Sequence, residues 1–142
     1  MAGWVGAEAW IFLSIGDAER EGQATLDGVI GAADANNHAI PTVGEFERAV
    51  GQLLGAGLIT AAPDQYSLTL EGLQQYQTIN SVHRGHITRY FETAKEWRSR
   101  APSNAPAVGW SVDPTAFDQA YREYSRRASE IIRRLMKSRK KG

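Results

Sequence analysis

Cysteine is absent from the 142 residues, so the chain can form neither a disulfide framework nor a thiolate metal site. That absence fits a reducing compartment, and a cytoplasmic protein is expected. Long hydrophobic runs are missing as well. The apolar stretch over 4–15 is interrupted by Glu8, follows no basic residue and is too short to span a bilayer. It reads as a buried first helix rather than a signal or anchor, and no membrane partner is expected. Internal repeats and low-complexity segments are lacking too. The composition, 42% hydrophobic and 23% charged, is that of one soluble globular domain, or of a small domain with a helical extension.

The residues that would mark an enzyme are equally scarce. No serine–histidine–carboxylate spacing stands out. "GDAEREG" and "GVIGAAD" contain glycine but lack the lysine and the strand context of a phosphate loop. His83 and His86 lie three apart, on one side of a helix. Glu92 is too far along to join them and His38 sits in a remote loop, so no ligand set completes a zinc site. His83 falls on an apolar stripe and reads as a packing histidine. The expectation is a protein that is not an enzyme and has no cofactor and no metal.

Charge of one sign is missing from each end. Between Met1 and Tyr76 the only bases are Arg20 and Arg48, against ten acids; from Pro114 to Gly142 nine bases stand against three acids. The net charge of zero hides this polarity, which bears on partners rather than on fold.

What is present is mostly helical patterning. A helix over 7–19 carries Trp10, Ile11, Phe12, Leu13 and Ile15 and has little polar face, so it belongs in the middle of the domain. "EGQAT" is a break with the character of a short strand, and Thr25 is placed to cap a second helix bearing Leu26, Val29, Ile30 and Ala33. "NNHAIP" ends it. Thr42 and Glu45 have capping-box spacing, and Phe46, Ala49, Val50, Leu53 and Leu54 form the stripe of a third helix that stops at Gly55 and Gly57. Residues 58–60 and 66–69 alternate like strands around an "APD" turn, and Thr69 is placed to cap the next helix. From 70 to about 100 the three- and four-residue spacing predicts one long helix, kinked at Gly85. A proline-rich loop holds Trp110 as a packing anchor, and Asp113–Pro114 opens a last helix. Phe117, Tyr121, Tyr124, Ala128, Ile131 and Leu135 form a heptad seam on that helix, and "KSRKKG" reads as a frayed tail.

The order of helix, extended piece, helix, turn, helix, hairpin and helix, with "LLGAGLI" before the hairpin and "YSLTLEG" closing it, resembles a winged helix-turn-helix over 7–73. The "Y-x-L-T-x-x-G" ending is similar to that of bacterial regulators of the MarR and PadR type. The resemblance covers about half the chain. It implies a mainly α fold: a winged head over 1–76 with a small hairpin wing, then a helical extension over 77–142 closed by an amphipathic basic helix. It also implies a DNA-binding regulator that forms a homodimer through its C-terminal helices, with the third helix in the major groove. On that pattern Thr42, Glu45, Arg48 and Gln52 face the duplex.

The charges depart from the pattern. The third helix has one arginine against Glu45 and Glu47, and the wing turn has no base and one acid, Asp64. Lysine and arginine supply most non-specific DNA affinity. The cations Arg126, Arg127, Arg133, Arg134 and Lys137 on the last helix are therefore the candidate phosphate contacts, with Thr42, Arg48 and Gln52 at the head. The bland reading of that helix is a solvated face whose seam packs on the 70–100 helix or on a second protomer. A further reading docks the basic helix on an acidic head, of its own molecule or of a neighbour. The rival function is a protein-interaction module whose Glu45, Glu47 and Asp64 bind a basic partner. Trp97 and Trp110 are candidates to line a small-ligand pocket, and core packing explains them as well.

Overall fold

Every residue from 8 to 18 is buried, which makes helix α1 (Ala7–Arg20) the hub on which the other elements pack. Its sequence is apolar almost all round, and a helix without a polar face is stable only when enclosed. The computed structural model describes residues 7–83, 85–99 and 108–141. After α1 come α2 (Leu26–Asn37), α3 (Val43–Gly55), β1 (Ile59–Ala62), β2 (Gln65–Leu68), α4 (Leu70–Val82), α5 (His86–Ser99) and α6 (Pro114–Lys141). The architecture is mainly helical, with one two-stranded antiparallel sheet and a long C-terminal helix.

Local chemistry accounts for most of the boundaries. Thr42 and Glu45 make the full capping box: the Glu45 N–H donates to Thr42 Oγ1 at 3.1 Å, and the Thr42 N–H donates to Glu45 Oε1 at 2.9 Å. Gly57 takes the positive φ of 73° that turns the chain out of α3. Thr69 caps α4, accepting from the Gly72 N–H at 3.1 Å. In the sheet, Ile59 pairs with Leu68 and Ala62 with Gln65, leaving Pro63 and Asp64 as the turn. The strands run one or two residues off the expected 58–60 and 66–69. The "EGQAT" stretch joins the sheet by one backbone bond, from the Tyr66 N–H to the Ala24 carbonyl at 2.9 Å.

Two expectations are corrected. Thr25 sits at the α2 N-cap, but its hydroxyl donates to Asp27 Oδ1 at 2.6 Å and caps nothing. The cap comes from the hairpin turn, where Asp64 Oδ1 accepts the Leu26 N–H at 2.9 Å. A carboxylate is the better acceptor at the positive end of a helix dipole. Asp64 reaches it through a left-handed φ of 55°.

The second correction concerns the long helix expected over 70–100. It is two helices. His83 is extended (φ −122°, ψ 131°), and α5 folds back onto α1 and α2. Trp97 meets Phe12 edge-to-face at 5.1 Å. Residue 100 lies outside the described residues. Helical periodicity fits either arrangement, because each half carries its own stripe.

Burial of a charge pair favours the reversal. Arg89 of α5 and Asp17 of α1 are almost fully buried, joined by Nη2 to Oδ2 at 2.7 Å and Nη1 to Oδ1 at 2.9 Å. Tyr76 of α4 donates its hydroxyl to the same carboxylate, and Asn36 of α2 donates to it at 3.1 Å. Arg89 also donates to Asn36 at 2.9 Å and to Asn80 at 2.8 Å. Burial by itself would raise the Asp17 carboxyl, but the hydrogen bonds from Arg89, Tyr76 and Asn36 and the guanidinium charge outweigh it and hold the pKa below the ordinary value of 3.8.

Because the folded carboxyl titrates below its unfolded value, its stabilisation is complete at neutral pH and fades as pH falls past the ordinary aspartate range. Asp17→Asn leaves Arg89 buried without a counter-charge. It is expected to destabilise the fold by about 3–5 kcal/mol at neutral pH and to flatten the acid limb of stability against pH. Urea unfolding of both proteins from pH 6 to pH 2 checks both.

Candidate functional site

The outer edge of α3 presents Thr42, Glu45, Arg48 and Gln52 at helical spacing, and each of the first three already has work inside the fold. Thr42 and Glu45 are bound to each other in the capping box. The Arg48 Nε lies 3.9 Å from the carboxylate of Glu8, which is buried beneath it. Gln52 is half-buried. This edge therefore offers one cation whose field is largely cancelled by its neighbour.

The flank of α3 is covered by the chain's own strap, residues 108–112. The Val112 N–H donates to Glu47 Oε1 at 3.0 Å, and the Val108 N–H donates to the Gly51 carbonyl at 3.0 Å. A Cβ at position 51 would lie 2.6 Å from the Val108 carbonyl oxygen, so the strap requires glycine there. Trp110 anchors it between Phe46 and Tyr66, at 5.9 Å and 6.2 Å between ring centroids. The three candidate acids all have internal partners: Glu45 holds the Thr42 N–H, Glu47 the strap, and Asp64 the α2 N-terminus.

The basic helix α6 docks on the acidic head of its own molecule. It crosses α2, where the Tyr124 hydroxyl donates to Asp34 at 2.6 Å and Arg127 pairs with Asp27 at 2.6 Å. Gly31 makes the close approach possible, since a Cβ there would sit 2.9 Å from the Tyr124 ring. Burial and the Asp34 hydrogen bond push the Tyr124 hydroxyl up to about 12. Burial works against the Asp27 carboxylate, yet the bond from Thr25 and the Arg127 charge hold its pKa below the ordinary range. Both groups therefore keep their docking protonation states around neutrality.

The heptad seam is consequently divided. Phe117 is buried against Phe46, and Tyr124 and Ala128 are partly covered by the head. Tyr121 is 40% exposed, and Ile131 and Leu135 are each more than half exposed. One half of the seam is thus consumed within the chain, because α2 is shorter than α6. The expected frayed tail is corrected too, as α6 continues to Lys141.

The candidate cations separate in the same way. Arg126 pairs with Glu123 and Glu130 along α6, at 2.6 Å and 3.2 Å, and Arg127 belongs to the α2 contact. Arg122 is likewise paired along the helix, with Asp118 at 3.0 Å. Arg133, Arg134, Lys137 and Arg139 have no partner among the described residues.

Trp97 and Trp110 do not share a pocket. Trp97 lines a cleft of about 610 Å³ between α4 and α5, with Ile79, Val82 and His83; Trp110 lines a cleft of about 780 Å³ between the hairpin and α6. His86 bonds Asn36 at 2.7 Å, and no group of three or more metal-ligating side chains occurs among the described residues. No described helix is long and apolar enough to cross a membrane. Compared with protein-family models, curated proteins and solved structures, the chain matches none.

The buried Asp17–Arg89 network was invisible in the sequence; its only trace is an aspartate on the mostly apolar first helix. The strap had no signal beyond the anchor tryptophan. Gly51→Ala is expected to lift the strap from α3 and to raise amide exchange at Val108 and Val112 at least tenfold, with protection of α1 unchanged. Unaltered exchange at those two amides would mean that the strap yields without detaching.

Proposed function

We propose that the protein is a winged-helix DNA-binding protein, a transcription regulator by class, in which α3 approaches the duplex and α6 supplies the phosphate contacts. What carries the reading is the head's element order together with the surface position of the α3 edge, Thr42, Glu45, Arg48 and Gln52. Helix, extended piece, helix, capped helix and hairpin succeed one another as in a winged helix, and the 2.9 Å bond from Tyr66 to Ala24 ties the extended piece to the hairpin. The head's charge argues that it does not hold DNA alone. Attraction to phosphate depends on cations, and α6 carries four without a partner among the described residues, Arg133, Arg134, Lys137 and Arg139. Arg133 and Lys137 share its outward side with Arg126, seven residues before Arg133, which is bridged to Glu123 and Glu130.

A second reading rests on the strap. Residues 108–112 occupy the Glu47–Gly51 flank of α3 beside the hairpin, where a duplex backbone would run in a winged-helix complex. On that reading the head is a protein-docking module, and Glu45, Glu47 and Asp64 give it the acidic face that suits a basic partner.

Fluorescence anisotropy with random duplex DNA across a salt series separates the two. The regulator reading expects binding that weakens with salt. Replacing Arg126, Arg133 and Lys137 together by glutamine should make the log–log slope shallower by about 0.9 for each phosphate that is no longer neutralised. An unchanged slope removes α6 from the interface. No binding at low salt removes DNA altogether and leaves the docking module.

A further inference from the structure

Two surfaces of this protein are open to a partner, and their chemistries match. The first is the end of α6. With 12 residues in α2 and 28 in α6, the helices are about 18 Å and 42 Å long, so α6 overruns the head beyond the Arg127–Asp27 pair. On this arm Ile131, Ile132, Leu135 and Met136 are all more than half exposed. Arg134, three residues after Ile131, lies at the edge of this apolar face, and Arg139, four after Leu135, continues the line of the face beyond Met136. A helical end of this length has little stability in water without packing, and its apolar face needs a cover.

The second surface is the cleft of about 780 Å³ between the hairpin, the strap and the first turns of α6. Tyr66, Trp110 and Ala120 are part of its apolar lining, and its charged lining residues, Asp27, Asp64, Asp113 and Glu123, are all acids. Asp27, Asp64 and Glu123 each hold an internal partner, Arg127, the Leu26 N–H and Arg126, whereas the Asp113 carboxylate and the Tyr66 hydroxyl have none among the described residues.

We infer that the arm of one copy docks in this cleft of a second copy, and the reverse, so that two chains exchange arms about a twofold axis. The fit is an amphipathic helix, with one cation beside its apolar face and one beyond it, entering an apolar groove with acidic edges. Pairing two arms along the seam in register is disfavoured, because past Glu130 each arm carries only positive charge and like charges would face each other. Position agrees as well. Asp27, beside which α6 leaves its own head, is also a wall of the cleft, so a neighbour's arm running antiparallel to α6 enters directly. The outward Arg133 and Lys137 take no part, and Arg126 enters only as the internal partner of Glu123, so the inference does not require DNA binding.

Sedimentation equilibrium at micromolar concentration tests it. The native protein should show twice the 15.6 kDa chain mass at low salt and shift toward the single chain as salt rises. Two charge-reversed variants, Arg134→Glu with Arg139→Glu and Asp113→Arg with Glu123→Arg, should each sediment as single chains. Mixed one to one they should regain the double mass, because each arm then meets a cleft of opposite sign. Circular dichroism verifies that both variants are folded. A native protein that stays monomeric, a variant that stays dimeric, or a mixture that fails to pair overturns the inference. So does a monomer that binds anionic vesicles through the four apolar residues, which would assign the arm to lipid.

Discussion

The buried pair of Asp17 and Arg89 is the contact on which the rest of the fold depends. A charge inside a protein is tolerated only with a counter-charge and with its remaining hydrogen-bonding positions filled. Here the filling draws on four helices and leaves only the Arg89 Nε of the pair without a hydrogen bond among the described residues. Asp17 comes from α1, Asn36 from α2, Tyr76 and Asn80 from α4, and Arg89 from α5. Such a network is weak evidence for added stability, since apolar side chains can fill the same space. Its stronger effect is on geometry, because few arrangements of α4 and α5 satisfy both partners at once. The chain reverses between Val82 and His86 in the arrangement that does so.

A second constraint is the meeting of the acidic head with the basic helix inside one molecule. Each charged end of the chain would repel itself if left alone. The contacts Arg127–Asp27 and Tyr124–Asp34 bring the two ends together along α2, with Gly31 removing the side chain that would keep them apart. Only the first half of α6 is used in this way. The remainder is left with unpaired cations and an uncovered apolar face, and the head keeps acids with internal duties. The head's carboxylates hold caps, strap and the base of α6, while the arm has cations and an apolar face with no internal use.

Much of the local structure was legible in the residues themselves. Phe46, Ala49, Val50 and Leu53 at helical spacing behind Thr42 and Glu45 define α3, its buried face and its start, because periodicity and capping act within a few residues. Thr69 before α4, the Pro63–Asp64 turn and Pro114 at the first turn of α6 are local in the same sense. Tertiary structure alone decided the rest. Whether residues 70–99 form one helix or two turns on Arg89 finding Asp17, 72 residues away in the chain. Which residue caps α2 turns on Asp64 arriving from the hairpin, and how much of the α6 seam is covered turns on where α2 ends. Hydrogen bonds and periodic packing over one turn of backbone are written in neighbouring residues; the pairing of buried charges and the reach of one helix along another depend on distances that exist only once the chain has folded.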